Sequence, residues 1–331
     1  MNKETSSVSA GFRWGRFALI LATYWLCYFV VFVLANTVFG SLDQAFGFLG
    51  LILCGLVMGV LASLLWDPQV ERRYLEVLGT ALLAFVCTLL PLVLLQFETL
   101  ICIVIALPIV GVLMALSIWG TRLIVRWRQN HATATYSALI VVPLALLSQQ
   151  GAFLDSDFLS PSATEVLQSE IVINASPETV WAHTLEIAPI REEERIWTTS
   201  HALLGAPQPI DAQLNGAIRD LRWTKGVQFQ EHITQRDENT FLEWRFVFHK
   251  PETLAAIDPN IHPQSRTLFL EKGSYRLIPE QDGRTRVVLT TTYHMKTPIN
   301  GYLRAWGTLF LDDFQTSVLA VIKSRAEASL R

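Results

Sequence analysis

Apolar residues form long unbroken runs in the first half of the chain and alternate with polar residues in the second half. A helix of about 20 apolar residues spans the hydrocarbon core of a bilayer, so each long run predicts a membrane-spanning helix. These runs cover residues 17–38, 45–66, 77–95 and 100–119, and a shorter fifth run covers residues 133–147. Because none of them contains Asp, Glu, Lys or Arg, they favour a membrane anchor over an ion or proton path.

Positive residues predict the orientation of these helices. They precede the first run and follow the second and the fourth: Lys3, Arg13, Arg16, Arg72, Arg73, Arg122, Arg126 and Arg128. Since cytoplasmic loops are enriched in Lys and Arg, we predict a multi-pass protein of the bacterial inner membrane with a cytoplasmic N-terminus. Five spans then place the C-terminal domain in the periplasm. If the fifth run is only re-entrant, that domain lies in the cytoplasm instead.

The composition also separates two regions. The 331 residues are 51% hydrophobic and 17% charged, which is too apolar for an ordinary soluble protein. The net charge of −3 gives no electrostatic support for nucleic-acid binding. Most of the charged residues lie in the second half of the chain. We therefore predict a membrane region at 1–148, a linker at 149–168 and a soluble domain at 169–331.

Small residues in the apolar runs bear on packing. The four cysteines are interpreted as buried small hydrophobes rather than as disulfides or metal ligands, and the sequence indicates neither a metal nor a cofactor: Cys27, Cys54, Cys87 and Cys102. Gly55, Gly59 and Ser63 share one face of the second helix, which allows close helix approach. This stripe either packs inside the helix bundle or forms a homodimer face.

The second half predicts antiparallel strands followed by one long helix. Alternation with the period of a half-buried strand occurs at residues 217–224, 227–235, 241–249, 267–279 and 286–295. A bulge is expected at Gly273. Residues 250–266 are predicted to form either a lid or an ordinary surface loop. Apolar residues at helical spacing then predict a helix from Asn300 to Ala328.

The most specific motif lies just before these strands. Residues 169–187 read SEIVINASPETVWAHTLEI, which predicts a strand, a turn and a helix that Ser176 caps, with Pro177 at its first position. This motif resembles the opening of the SRPBCC superfamily, which includes START-like and polyketide-cyclase-like proteins. The segment WTKGVQFQEHITQRDENTFLEWRF at 223–246 resembles the middle strands of that family. The resemblance implies a helix-grip fold, in which a curved antiparallel sheet surrounds a long C-terminal helix.

The same resemblance implies a cavity between the sheet and the helix that holds a lipid or another hydrophobic small molecule. Its expected lining residues are Trp197, Phe229, Glu231, Trp244, Phe246, Leu289, Thr291, Tyr293, Trp306 and Phe310. The alternative is that these side chains fill an ordinary core.

Glu231 is the strongest candidate for chemistry. It shares strand parity with Phe229 and Ile233, so we expect it to face inward, where burial would raise its pKa. Together with Tyr293 it would orient a hydroxyl or carbonyl of the ligand, or act as acid and base. The alternative is a Glu at the end of a strand that reaches solvent past a bulge.

Three functions stay open on the sequence alone. The chain is a membrane-tethered binding module for a hydrophobic small molecule, an enzyme resembling polyketide cyclases or dehydratases, or an envelope protein whose domain binds another protein. The sequence contains no nucleophile elbow, P-loop, dinucleotide-binding glycine motif or zinc pattern.

Overall fold

The computed structural model describes residues 13–38, 48–94, 100–130, 161–249, 263 and 268–329. The chain divides into two compact units, an N-terminal helical unit and a C-terminal domain, and each is described by itself. The predicted fifth run at 133–147 lies outside the described residues, and so does the predicted lid at 250–266 except for residue 263.

Four described helices build the N-terminal unit: α1 (Trp14–Val38), α2 (Phe48–Trp66), α3 (Tyr74–Leu94) and α4 (Leu100–Asn130). They coincide with the four long apolar runs, although α4 continues past the predicted end at residue 119. Among the described residues, the segments Tyr74–Pro91 and Leu100–Arg128 are long and apolar enough to cross a membrane. A shorter apolar segment, Cys54–Trp66, lies in α2.

Glycines bring α2 and α4 into close contact. A Cβ atom at Gly59 would lie 2.0 Å from Ser117 Oγ, and one at Gly55 would lie 2.8 Å from Leu113 Cβ. Ser63, on the same face of α2, is buried. The small-residue stripe therefore packs within the chain, as one of the two sequence interpretations expects. Homodimer formation through the same residues stays a prediction.

A seven-stranded antiparallel sheet and a long helix form the C-terminal domain. The strands are β1 (Ser162–Ile173), β2 (Pro209–Asn215), β3 (Ile218–Trp223), β4 (Gln228–Asp237), β5 (Phe241–Val247), β6 (Leu268–Pro279) and β7 (Thr285–Lys296). Their order across the sheet is β1-β7-β6-β5-β4-β3-β2. The helices are α5 (Pro177–Leu185), α6 (Thr199–Ala202) and α7 (Asn300–Ala328). This is a helix-grip-like arrangement, which confirms the fold predicted for this part of the chain.

The first two strands differ from the sequence prediction. β1 begins at Ser162, inside the predicted linker, because its twelve residues pair with the whole of β7. β2 was not predicted at all, and a register irregularity between Pro209 and Asp211 interrupts the alternation that would have revealed it.

Gly273 serves a different purpose from the predicted bulge. The irregularity of β6 lies between Leu270 and Lys272 instead. A Cβ atom at Gly273 would lie 2.5 Å from the ring of Trp244, its cross-strand neighbour on β5. Glycine is required at this position because any Cβ atom would overlap the indole ring.

Helix α7 packs on one face of the sheet, which we call the inner face. Leu319, Val321 and Ile322 of α7 share a single core cluster with Leu242, Leu277 and Val287 of the sheet, and with other buried side chains. The C-terminal end of α7 is tied down by an ion pair between Arg325 Nε and Glu194 Oε1 at 2.8 Å. The hydrogen bonds from Arg325 hold the pKa of Glu194 at about 2.

Candidate functional site

The inner face of β3, β4 and β6 carries a buried ion pair. Arg219 on β3 and Glu231 on β4 are direct cross-strand neighbours, and they are 1% and 4% exposed. Arg219 Nε lies 3.3 Å from Glu231 Oε2, which is an ion-pair distance without hydrogen-bond geometry. The guanidinium carbon of Arg219 also lies 5.2 Å from the ring centroid of Trp244 and 5.8 Å from that of Tyr275. Two cation–π contacts and one ion pair therefore stabilise the positive charge of Arg219.

Burial dominates the titration of this cluster. It raises the pKa of Glu231 to about 7, although the neighbouring Arg219 opposes the rise. Burial also raises the pKa of Tyr275 to about 12. Near neutral pH the Glu231 carboxyl is therefore able to exchange a proton, whereas the Tyr275 hydroxyl remains protonated.

Polar atoms of the cluster are left without hydrogen-bond partners among the described residues. They are Nε and Nη1 of Arg219, Oε2 of Glu231 and Nε1 of Trp244, all fully buried. Buried polar groups in proteins are hydrogen-bonded in the great majority of cases, so these unpartnered atoms are exceptions whose hydrogen-bonding capacity another polar group would satisfy. Donors outnumber acceptors here, because Arg219 and Trp244 have only N–H groups to offer.

Aromatic rings extend from the ion pair across the inner face to α7. Each ring centroid lies 5.0–6.2 Å from the next along the series Tyr275, Trp244, Phe246, Phe229, Trp223 and Phe314. Phe248 stacks on Phe229 at 5.1 Å. A continuous series of aromatic rings therefore crosses the otherwise largely aliphatic inner face, with the charged pair near one end of the series.

A second buried polar group lies where α7 meets α6. His201 stacks on Phe314 at 5.1 Å, and its Nδ1 lies 2.7 Å from the hydroxyl of Thr198. Its Nε2 is buried without a hydrogen-bond partner among the described residues. Burial lowers the pKa of His201, so the ring is neutral at physiological pH.

β7 presents a third polar contact to α7. Gln315 Nε2 donates a hydrogen bond to Thr291 Oγ1 at 2.8 Å, while Gln315 Oε1 is buried and unpartnered among the described residues. The hydroxyl of Tyr293 lies over Gly307, where an added Cβ atom would be only 3.1 Å away. Thr291 and Tyr293 thus share the inward parity that the sequence predicts, and both are buried.

The inward orientation predicted for Glu231 is confirmed by its burial, and so is the rise in its pKa. The other predicted lining residues differ in how deeply they are buried. Trp244 and Leu289 are buried on the inner face, whereas Phe229 and Phe246 are half-buried there. Trp306 and Phe310 are half-buried neighbours on α7, with ring centroids 6.4 Å apart.

Trp197 is placed differently from the sequence expectation. Its side chain is 68% exposed. It lies between the 3-10 turn Glu192–Glu194 and α6, where no strand or helix periodicity fixes its direction. It therefore lines no part of the described interior.

The predicted pair of Glu231 and Tyr293 is not formed. Their strands, β4 and β7, are separated in the sheet by β5 and β6. At about 4.8 Å per strand this places the two residues about 14 Å apart along the sheet. The tyrosine of the Glu231 cluster is Tyr275, on β6, which the sequence reasoning missed together with Arg219. Arg219 shares parity with Leu221 on a predicted strand, so the same alternation could have found it.

This fold and interior define a helix-grip-like domain with an aromatic inner face. Residues 164–327 match the model of a family described as "Polyketide cyclase / dehydrase and lipid transport". The family model and the observed topology together support an SRPBCC-like domain in this part of the chain. A comparison with curated proteins gives no match.

Solved structures give further likenesses. Norcoclaurine synthase from Thalictrum flavum is 15% identical, with 51% of this chain and 87% of that chain covered at a TM-score of 0.31. An aromatase/cyclase from a Streptomyces species is 12% identical, with 51% and 97% covered at a TM-score of 0.31. A protein from Thermus thermophilus is 22% identical, with 50% and 99% covered at a TM-score of 0.31.

Proposed function

We propose that this chain is a membrane-tethered binding module that holds a lipid or another hydrophobic small molecule between the sheet and α7. The observation that carries the proposal is the inner face itself, where aromatic rings surround buried polar atoms that lack partners among the described residues. Small-molecule sites combine a mainly apolar lining with a few placed polar groups in this way. The family description, which includes lipid transport, supports the same class of ligand.

The polar atoms also constrain the ligand. The free N–H groups of Arg219 and Trp244 favour a ligand whose polar end is an acceptor, such as a carbonyl or carboxylate. Protonated Glu231 would add one donor, because its pKa lies near neutrality. The apolar remainder of the ligand would then extend along Phe229 and Phe246.

We further propose that the helical unit and the run at 133–147 anchor the domain in the bacterial inner membrane, with the domain in the periplasm. The apolar segments of α3 and α4 and the placement of the positive residues support this. A reporter fused after Ser160 tests the topology, since activity of a periplasm-dependent reporter is expected. A signal from a cytoplasm-dependent reporter would contradict the five-span arrangement.

Native mass spectrometry of the full chain in mild detergent, followed by organic extraction, tests the binding proposal. One dominant apolar species bound at one copy per chain is expected. The double variant Arg219→Met with Glu231→Leu removes both charges together, so it leaves no unpaired buried ion and should fold. It is expected to lose the species, whereas the control Arg245→Gln, at an exposed position of β5, should retain it.

A folded full chain that carries no such species and takes none up from a lipid extract would contradict the binding proposal. A domain that binds another protein through its outer surface would then be favoured, because such a domain needs no ligand in its interior.

A second function, acid–base catalysis on the bound molecule, is favoured by the position of Glu231. A buried carboxyl with a pKa of about 7 is suited to proton transfer near neutral pH. With any substrate found by extraction, Glu231→Gln should lower turnover at least about 100-fold while the substrate still binds. Unchanged turnover would exclude this role.

A further inference from the structure

The charged residues of the described part of the N-terminal unit gather at one end of its helices. Arg16 Nη1, at the start of α1, donates to the Trp66 carbonyl at the end of α2, at 3.0 Å. Arg122 Nη2, near the end of α4, donates to the Arg72 carbonyl just before α3, at 2.5 Å. We call this set of helix ends the arginine end. In the described ranges it carries seven arginines against Asp67, Glu71 and Glu76, a net charge of +4.

Four of these charges, in two ion pairs, hold the arginine end together. The Asp67 carboxylate accepts hydrogen bonds from the backbone N–H groups of Glu71 and Arg72, at 2.8 and 3.2 Å, and it lies 3.6 Å from Arg122 Nη2. Arg72 in turn pairs with Glu76. Arg122 is 7% exposed, and its Nη1 is buried without a hydrogen-bond partner among the described residues. The inner acidic charges are therefore already engaged within the protein.

The outer arginines have no such engagement. In the described part of the chain, Arg13, Arg73, Arg126 and Arg128 are exposed and form no ion pair. Arg73 follows the residue whose carbonyl accepts from Arg122, and Arg126 lies one helical turn beyond Arg122. Arg73 and Arg126 thus lie next to the two residues, Arg72 and Arg122, whose hydrogen bond joins the start of α3 to α4.

We propose that the arginine end binds the phosphate headgroup of an anionic phospholipid, held between Arg73 and Arg126. This rests on the proposed membrane tether and is independent of the ligand in the C-terminal domain. Helix α4 has 31 residues, about 46 Å at 1.5 Å per residue, whereas the hydrocarbon core is about 30 Å thick. Its last turns therefore reach the headgroup layer, where the exposed Trp119 and Trp127 are also favoured. Guanidinium groups bind phosphate oxygens with paired N–H bonds.

The test uses the full chain, delipidated in a neutral detergent and titrated with phosphatidylglycerol or phosphatidylcholine, with bound lipid counted by native mass spectrometry. Phosphatidylglycerol should bind in clear preference. Arg73→Gln with Arg126→Gln should weaken that preference about 30-fold, since each basic residue near anionic lipid contributes a factor of five to six. The matched control is Arg236→Gln with Arg245→Gln, two exposed positions in the C-terminal domain, which should leave the preference unchanged.

No preference for phosphatidylglycerol, or an equal loss in the control variant, would overturn the proposal. Extraction of the chain from membranes by alkaline carbonate would overturn the tether and this site together. If no apolar species is found in the C-terminal domain while the preference for phosphatidylglycerol is present, the result would count against the proposed function alone.

Discussion

The buried Glu231 should make the stability of the C-terminal domain fall as the pH rises from 5 to 8. Its pKa is about 7 in the folded protein and 4.5 as its ordinary value, so folding favours the protonated form. Below pH 4.5 both states are protonated and the group has no effect. Between these pKa values the unfolded chain releases its proton while the folded protein keeps it, and stability decreases. Above pH 7 the penalty becomes constant.

The magnitude follows from the difference of 2.5 pH units between the two pKa values. At about 1.36 kcal/mol per unit the full penalty is about 3 kcal/mol, and most of it develops between pH 5 and pH 8. Glu231→Gln removes the titration, although it leaves Arg219 without an anionic partner and so lowers stability at every pH. The wild type and Glu231→Gln are therefore compared by how their stability changes with pH, and not by their absolute stability.

Hydrogen exchange of β3 and β4 in the full chain, corrected for the intrinsic pH dependence of exchange, measures this local stability. The wild-type free energy of opening should fall by about 2 kcal/mol more than that of Glu231→Gln over this pH range. Parallel pH profiles for the two proteins would refute the assignment of a raised pKa to Glu231.

Two further predictions concern the frame of the domain. Gly273→Ala should lower the free energy of unfolding by about 2 kcal/mol, because its Cβ would overlap the Trp244 ring. The control Gly301→Ala meets no atom within 4 Å and should be neutral or slightly stabilising. Thermal unfolding of both variants checks this, and equal melting temperatures would contradict it. Glu194→Gln should lower the free energy of unfolding by about 2 kcal/mol at pH 7 and speed hydrogen exchange at the end of α7. The lowered pKa of Glu194 stabilises the fold above pH 4.5, and this contribution is lost as the pH falls towards 2. Unchanged exchange would show that the ion pair between Glu194 and Arg325 contributes nothing.

In this domain, the alternation of apolar and polar residues was enough to predict which face of a strand a side chain occupies. It predicted the inward direction of Glu231 and Trp244 because every second residue of a strand shares one face. It missed Arg219 because a positive residue on an apolar strand face is usually assumed to be exposed. The pairing of Glu231 with Tyr293 failed for a different reason: parity gives the face of each residue, but only the strand order gives the distance between two of them. Trp197 follows a short turn, where the spacing of apolar residues has no strand or helix period and so does not predict the direction of the side chain.

Photocrosslinking would locate the residues of the full chain that contact a bound hydrophobic molecule. The full chain in detergent would be loaded with a fatty acid that carries a photoreactive diazirine on its acyl chain, irradiated, and analysed by peptide mass spectrometry. We expect adducts on inner-face residues of β4 and β5 and on α7, and we expect the extracted natural species to displace them. Adducts confined to helices α1–α4, with the inner face unlabelled, would show that the molecule binds the helical unit and would contradict a binding site between the sheet and α7.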